Sequence, residues 1–255
     1  MKTVILAGGR GMRFGRETTY KPKPMIEIGD QPILWHIMKR YGLFGVNDFV
    51  VCLGYRSRMI KKYFLEYCIS QSDVQIDIAK ATNSPVHRFA ENWDVTLADT
   101  GINSLTATRI RQIQPYVDGE TFFLTYGDGI GDIDIRALYE CHIKSQKTLT
   151  ITVANPKSRF GVVCFDKNTG IVKSFGEKST EDSFANIGFM VATPKIFEYL
   201  GTDNTMLEDE PFSRLVADGQ MNAYIHRGFW SPMDTVKDKE YLEICIKDKD
   251  KAPWL

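Results

Sequence analysis

Near the start of the chain an apolar run, Val4-Ile5-Leu6-Ala7, passes without a break into Gly8-Gly9-Arg10-Gly11-Met12-Arg13. Few folds accommodate that junction. Four apolar residues in succession read as a strand buried on both faces. The glycines that follow lack a Cβ, so backbone N–H groups can converge on one point and form a nest for an anion. Arginine and lysine supply the charge that a polyphosphate requires. They are present as Arg13 and, a little further on, as Lys21-Pro22-Lys23-Pro24-Met25. Glycines alone would describe an ordinary strand-to-helix turn. With Arg13 and the doubled Lys-Pro, the segment predicts phosphate chemistry.

Two familiar phosphate loops do not fit it. A P-loop has Lys-Ser/Thr directly after its last glycine, where this chain has Met12-Arg13. The dinucleotide fingerprint opens a helix and ends on a third glycine; here Phe14 stands at that position, and the proline-spaced stretch downstream excludes a helix. A different nucleotide-binding architecture is required.

The rest of the first half alternates strand and helix patterns. Strands are predicted at Thr3–Ala7, Asp48–Leu53, Thr121–Tyr126 and Leu149–Ala154, and helices at Pro32–Phe44, Ser57–Tyr67 and Ile135–Lys144. Repeated strand–helix–strand units imply an α/β fold, a doubly wound and mostly parallel sheet with helices on both faces. Ligands of such sheets gather at the carboxyl ends of the strands, where the glycine loop and Gly127-Asp128-Gly129 both fall. Short strands at Phe160–Phe165, Ile171–Phe175 and Ile187–Ala192 predict a small antiparallel β addition in the C-terminal half, followed by helices at Glu208–Ala217 and Thr235–Ile246. Lys80–Trp93 and Ser179–Ala185 read as loops, serving as a lid or an oligomer contact. Without an internal repeat or linker, residues 1–255 read as one domain, 1–155 the nucleotide half and 156–255 the sugar-phosphate half.

Thirty-two basic and thirty-two acidic side chains cancel, which disfavours nucleic acid as a partner. Five scattered cysteines without a Cys-x-x-Cys fit buried thiols in a reducing compartment, and four dispersed histidines offer no zinc site. The strand at the N-terminus leaves no signal peptide, and no apolar stretch approaches the ~20 residues of a membrane span. A cytoplasmic protein with no membrane partner is expected.

Lys23, fixed between two prolines, and Arg13 are the candidate catalytic cations, and Asp128, between glycines at a strand end, is the candidate metal ligand. Arg10 and Lys21 read equally as surface charges. The string Gly8-Gly9-x-Gly11-x-Arg13 with Pro22-Lys23-Pro24 resembles the signature of the sugar-1-phosphate nucleotidylyltransferases. Lys21–Gly29, Pro32–Met38 and Phe229–Thr235 are most similar to the glucose-1-phosphate cytidylyltransferase branch, and the likeness runs nearly end to end. The resemblance implies a Rossmann-like nucleotidyltransferase fold, Mg²⁺ as cofactor, CTP and a sugar 1-phosphate as substrates, and a homo-oligomer. It implies nucleotide binding by Leu6, Ala7, Gly8, Gly9, Gly11, Met12, Arg13 and Lys23, with Thr100, Gly101, Ser104 and Thr106 on the base side. It implies sugar-phosphate binding by Arg159, Gly161, Glu177, Lys178 and Asn186, and Mg²⁺ held by Asp128 with Asp234. Read alone, Asp234 would cap the helix that follows, and Asn103 or Ser104 would cap one near Thr106. Asp132 and Asp134 read as caps as well, and His36 as packed. Met12 departs from the family's threonine, Ala107-Thr108 from a Gly-Gly, Ile187 from a glycine and Ser179 from a proline. Another sugar 1-phosphate, UTP or dTTP as donor, and a catalytically silent sugar-nucleotide sensor are the alternatives.

Overall fold

Thr3, Val4, Ile5 and Leu6 are all buried in the first strand, and their side chains divide between two separate apolar clusters, one on each side of the sheet. The computed structural model describes residues 1–15, 17–80, 82–88, 91–117, 119–155, 162–166, 169–176, 184–248 and 252–255. Its strands are β1 (Lys2–Leu6), β2 (Glu27–Ile28), β3 (Gln31–Pro32), β4 (Asp48–Leu53), β5 (Ser72–Asp77), β6 (Thr82–Arg88), β7 (Asp94–Asp99), β8 (Phe122–Tyr126), β9 (Gly129–Gly131), β10 (Leu149–Ala154), β11 (Val162–Phe165), β12 (Val172–Gly176), β13 (Ala185–Ala192), β14 (Met221–Ile225) and β15 (Trp230–Pro232). The α-helices are α1 (Glu17–Tyr20), α2 (Ile33–Gly42), α3 (Ser57–Ser70), α4 (Thr106–Gln112), α5 (Ile135–Ser145), α6 (Glu210–Ala217) and α7 (Val236–Lys247).

Among these, seven strands form one sheet in the order β14-β10-β13-β8-β1-β4-β7. β1 pairs in parallel with β4 and β8, β4 with β7, and β10 with β14. One face packs on α2, through Ile33, Leu34, Ile37, Met38 and Tyr41, and on α5 and α7. The other packs on α4 and α6, through Ala107, Ile110, Phe212 and Leu215. This is the doubly wound α/β arrangement expected of alternating strands and helices.

Two expectations are corrected. β13 belongs to the main sheet, inserted between β10 and β8 and antiparallel to both, whereas it was expected in a separate addition. Its run Ala185–Ala192 is buried on both faces apart from Asn186, and only an interior strand offers two apolar faces. β11 and β12 alone make the expected separate antiparallel pair. The second correction concerns Lys80–Trp93, where β6 pairs with β5 as a hairpin instead of a loop. Thr82–Arg88 has no apolar alternation and includes Pro85, so the backbone pairing leaves no mark in the side-chain pattern. Residues 179–183 of the other expected loop lie outside the described residues, and Ala185 opens β13.

Cap predictions divide. Asp134 caps α5, accepting from Ala137 N at 2.8 Å. Asp132 does not; its carboxylate meets His226 Nε2 at 3.1 Å. His36 is packed as expected, accepting at Nδ1 from Trp254 Nε1 at 3.3 Å and placing Nε2 2.9 Å from Ile28 O. Among the described residues no helix is long and apolar enough to cross a membrane.

His142 on α5 is buried, with Nδ1 3.0 Å from Thr150 Oγ1 on β10. Burial pulls its pKa from 6.5 down to about 4. The unfolded chain therefore takes up a proton that the folded chain refuses, and stability falls as pH drops from 6.5 toward 4. We expect this group to remove roughly 2–3 kcal/mol by pH 4.5. Urea unfolding at pH 7, 6, 5 and 4.5 should show that fall, and a shallower one in His142→Gln.

Candidate active site

Parallel pairing brings the carboxyl ends of β1, β4, β7 and β8 to one edge of the sheet, where a cavity of about 540 Å³ opens. Leu6, Ala7, Gly8, Gly9, Gly11 and Met12 line it after β1, and Asp128 lines it after β8. Lys23, Ser104, Thr106, Asn186 and Asp234 close it from other segments. Most of the residues expected to bind ligand thus share one space. Thr100 and Gly101 stand back from it: Thr100 is buried, donating its hydroxyl to Leu53 O at 2.7 Å, and Gly101 is exposed. The backbone of Arg13 sits in the turn Met12–Phe14, and its side chain lies outside the described residues. Arg159, Gly161, Glu177 and Lys178 also lie outside them.

The glycine loop is shaped by what lies under it. Gly11 has φ +62°, and a Cβ there would press on Lys23 Cβ at 3.1 Å and Thr18 Cγ2 at 3.2 Å. A Cβ at Gly8 would fall within the guanidinium of Arg109. Arg109 itself is buried and reaches four partners: Leu53 O at 2.9 Å, Thr100 Oγ1 at 2.7 Å, Gly101 O at 2.8 Å and Gly8 O at 3.1 Å. Its planar fork donates to three carbonyls and a hydroxyl and ties together the segments that follow β1, β4 and β7. Burial lowers its pKa from the usual guanidinium value, while Cys52 and Asp99 raise it. Sequence reasoning missed this residue. Nothing marks an arginine inside an amphipathic helix as buried.

Lys23, only 7% exposed, holds both candidate metal ligands. Its Nζ donates to Asp128 Oδ2 at 2.8 Å and to Asp234 Oδ1 at 2.5 Å. The two aspartates are brought together by a short ladder: β9 pairs with β15, and Met233 N donates to Asp128 O at 2.8 Å. Asp128 lies just before one strand of that ladder and Asp234 just after the other. The cap of α7 is Thr235, which forms a capping box with Asp238, so the carboxylate of Asp234 is left for Lys23. Lys21 and Arg10 are engaged elsewhere, Lys21 with Glu27 at 2.6 Å and Arg10 with Asn103 at 3.2 Å.

A second polar group lies across the cavity. The hydroxyl of Tyr126, at the end of β8, donates to Glu208 Oε1, and the Thr106 hydroxyl donates to Glu208 Oε2 at 3.1 Å. Thr106 also accepts from Leu207 N at 2.6 Å. Neither Asn103 nor Ser104 caps α4; Leu105 occupies the cap position, and its N–H donates to Asn204 Oδ1 at 2.8 Å. Glu208 and Tyr126 were not singled out from sequence, although Tyr126 stands two residues before Asp128 at a strand end.

A profile of the nucleotidyl transferase family matches residues 2–251. The chain belongs to the nucleotidyl transferase family. It is 46% identical over 256 residues to the glucose-1-phosphate cytidylyltransferase of Salmonella typhimurium, covering 100% of this chain and 98% of that relative. The resemblance read from the motifs is borne out. Among solved structures, the chain is similar to HddC of Yersinia pseudotuberculosis complexed with GMP-PN, with a TM-score of 0.74 at 21% identity over 95% of this chain and 98% of that one. It is also similar to UDP-glucose pyrophosphorylase complexed with UDP-glucose, with a TM-score of 0.73 at 18% identity over 97% and 98%. These two likenesses establish that the nucleotidyl transferase shares its fold with nucleotide-bound proteins.

Removing Arg109 loses four hydrogen bonds at once and leaves the Gly101 carbonyl without its Arg109 donor, while Gly8 O keeps Tyr55 N and Leu53 O keeps Thr100 N and Oγ1. Arg109→Leu should cost roughly 2–4 kcal/mol of stability in urea unfolding. Arg109→Lys should recover little of it, since an ammonium lacks the fork.

Proposed function

We propose that the chain transfers a cytidylyl group from CTP to α-D-glucose 1-phosphate, releasing pyrophosphate and forming CDP-glucose. The observation that carries this reading is the full-length 46% identity to a glucose-1-phosphate cytidylyltransferase. The charged groups of the cavity agree with it.

A sugar phosphate is already anionic at neutral pH, so it attacks without a general base. Its oxygen forms a bond to the α-phosphorus of CTP in line with the α–β bridge. That bridge bond breaks, and its electron pair leaves on pyrophosphate. The barrier lies in bringing anions together and stabilising charge on the leaving group. We assign Gly8, Gly9, Gly11 and Arg13 to the triphosphate and Lys23 to the α-phosphate and the incoming phosphate. Ser104 and Thr106 lie on the nucleoside side, with Thr100 and Gly101 behind them. Asn186 lines the cavity on the sugar side, and Arg159, Gly161, Glu177 and Lys178 are assigned there by family resemblance.

Asp128 and Asp234 fit a divalent cation. Both carboxylates point to one spot, occupied here by the Lys23 ammonium, so a positive charge is favoured there. Two carboxylates supplemented by substrate phosphates suit Mg²⁺. Bound there, Mg²⁺ would neutralise charge on the α-phosphate and on the departing pyrophosphate. The reading carries with it one catalytic domain over residues 1–255, small-molecule partners, a cytoplasmic setting and a homo-oligomer.

Ile187 lines the cavity beside Asn186, at the position where the family has glycine, which favours a variation in the sugar phosphate as the second reading. Pyrophosphate release measured across CTP, UTP, dTTP and GTP with several sugar 1-phosphates tests both. The highest turnover is expected for CTP with glucose 1-phosphate; activity confined to UTP or dTTP overturns the cytidylyl assignment. Lys23→Ala and Asp128→Asn should each lower turnover by roughly 100-fold or more with unchanged circular dichroism. Near-normal rates would instead overturn the roles assigned to Lys23 and Asp128, and a wild-type chain that turns over no pair would support the silent sensor.

A further inference from the structure

Glu208 places a carboxylate in a cavity whose other end is built for phosphates. An anion there repels a triphosphate, so it has to face a neutral part of the ligand. Its surroundings define which kind. The Thr106 oxygen accepts from Leu207 N at 2.6 Å, which leaves the Thr106 proton directed at Glu208 Oε2, 3.1 Å away. The Tyr126 hydroxyl donates to the other carboxylate oxygen, Oε1. Gly188, with φ +89°, lies flat on the Tyr126 ring, where any Cβ would run into Cδ2. Backbone packing therefore fixes the direction of the phenol.

The same chain orients Asn186. Its Oδ1 accepts from Gly188 N at 3.0 Å. With Oδ1 occupied, the amide serves as a donor. On Glu208, the Tyr126 and Thr106 hydroxyls each engage one carboxylate oxygen. Two hydroxyls fill two of the roughly four acceptor sites of a carboxylate. What remains for the ligand is acceptor capacity on Glu208 and, in the same cavity lining, the donors of the Asn186 amide. A sugar hydroxyl, which both donates and accepts, complements that pair. A phosphate oxygen, which only accepts, does not.

We propose that Glu208, positioned by the Tyr126 and Thr106 hydroxyls, contacts substrate directly and accepts a hydrogen bond from a sugar hydroxyl, either of the nucleotide's ribose or of the hexose. The proposal rests on the transferase reading above and adds a specificity-determining residue to it. Tyr126 is a positioning residue, acting through Glu208.

The test uses the nucleotide and sugar phosphate that the wild-type chain turns over best. A failure of the cytidylyl reading then appears as a different substrate pair, and a failure here appears as unchanged constants for the variant. Glu208→Gln should raise KM for one substrate by roughly ten- to hundred-fold and leave the other within about twofold. Tyr126→Phe should shift the same KM in the same direction, by less. Thermal melts of both variants verify folding, and calorimetric binding of each substrate reads the same difference without turnover. Deoxy substrates identify the source of the hydroxyl: 2′- and 3′-deoxy nucleotides for ribose, deoxyglucose 1-phosphates for hexose. The analogue lacking the contacted hydroxyl should bind wild type and Glu208→Gln about equally. Wild-type KM values for both substrates in Glu208→Gln overturn the proposal. So does a penalty that persists with every deoxy analogue and follows instead the exchange of CTP for UTP, which would put Glu208 on the base.

Discussion

The ammonium of Lys23 stands between two carboxylates that come from positions 128 and 234, and much of the molecule is arranged to make that meeting possible. Two aspartates so close repel one another unless a positive charge lies between them, and a lysine as buried as Lys23 needs anionic partners. Each partner has its own support. Pro22 and Pro24 fix the chain on either side of Lys23, which begins a short 3₁₀ turn. Asp128 and Asp234 flank the β9–β15 ladder, so one strand pairing sets both carboxylates at once. The capping box at Thr235 keeps Asp234 out of the helix it precedes. A site that holds its own cation in this way is preorganised for another, or for phosphates that compete for the lysine.

Arg109 does for the backbone what Lys23 does for the carboxylates. The strand ends of a parallel sheet leave carbonyls that no further strand will pair, and this edge is also where the glycine loop turns. One guanidinium adds a donor to Gly8 O and Leu53 O, which Tyr55 N and Thr100 N also reach, and donates to Gly101 O as well. The absence of a side chain at Gly8 is then a packing requirement as much as a phosphate requirement. Gly11 differs, because its positive φ and its contact with Lys23 both exclude a Cβ. Two glycines in one motif thus serve different physical ends.

The parallel half of the fold was legible because buried strands and amphipathic helices write different periods into the sequence, and β4 and β10 occupy the ranges those periods predict. The β5–β6 hairpin was not, because Thr82–Arg88 carries no apolar alternation and includes Pro85, so the sequence of β6 leaves its pairing unmarked. The place of β13 was not either: an apolar run announces a buried strand without stating which strands flank it. In the site, residues in motifs were legible and residues recruited through packing were not. Glycine, lysine and aspartate beside strand ends carry local signatures. Arg109 and Glu208 acquire their roles from segments about a hundred residues away, through contacts such as Arg109 with Gly8 and Glu208 with Thr106.

That division has a chemical counterpart. The reacting phosphates require concentrated positive charge and backbone N–H groups, which the loop after β1 and the turn after β8 deliver regardless of the rest of the substrate. Recognition of a sugar or a base requires directed donors and acceptors whose own orientation is fixed. In the proposed reaction those are assigned to Asn186 on β13, to Thr106 at the start of α4 and to Glu208 before α6, where the Tyr126 and Thr106 hydroxyls both donate to Glu208. Tyr126 ends the same strand that leads to Asp128, so the reacting and recognising parts share one rigid element. Substitutions such as Ile187 alter the lining beside Asn186 while leaving Lys23, Asp128 and Asp234 untouched. A fold built in this way changes its substrate through β13 and the segments before α4 and α6, and keeps its reaction through β1, β8 and the β9–β15 ladder.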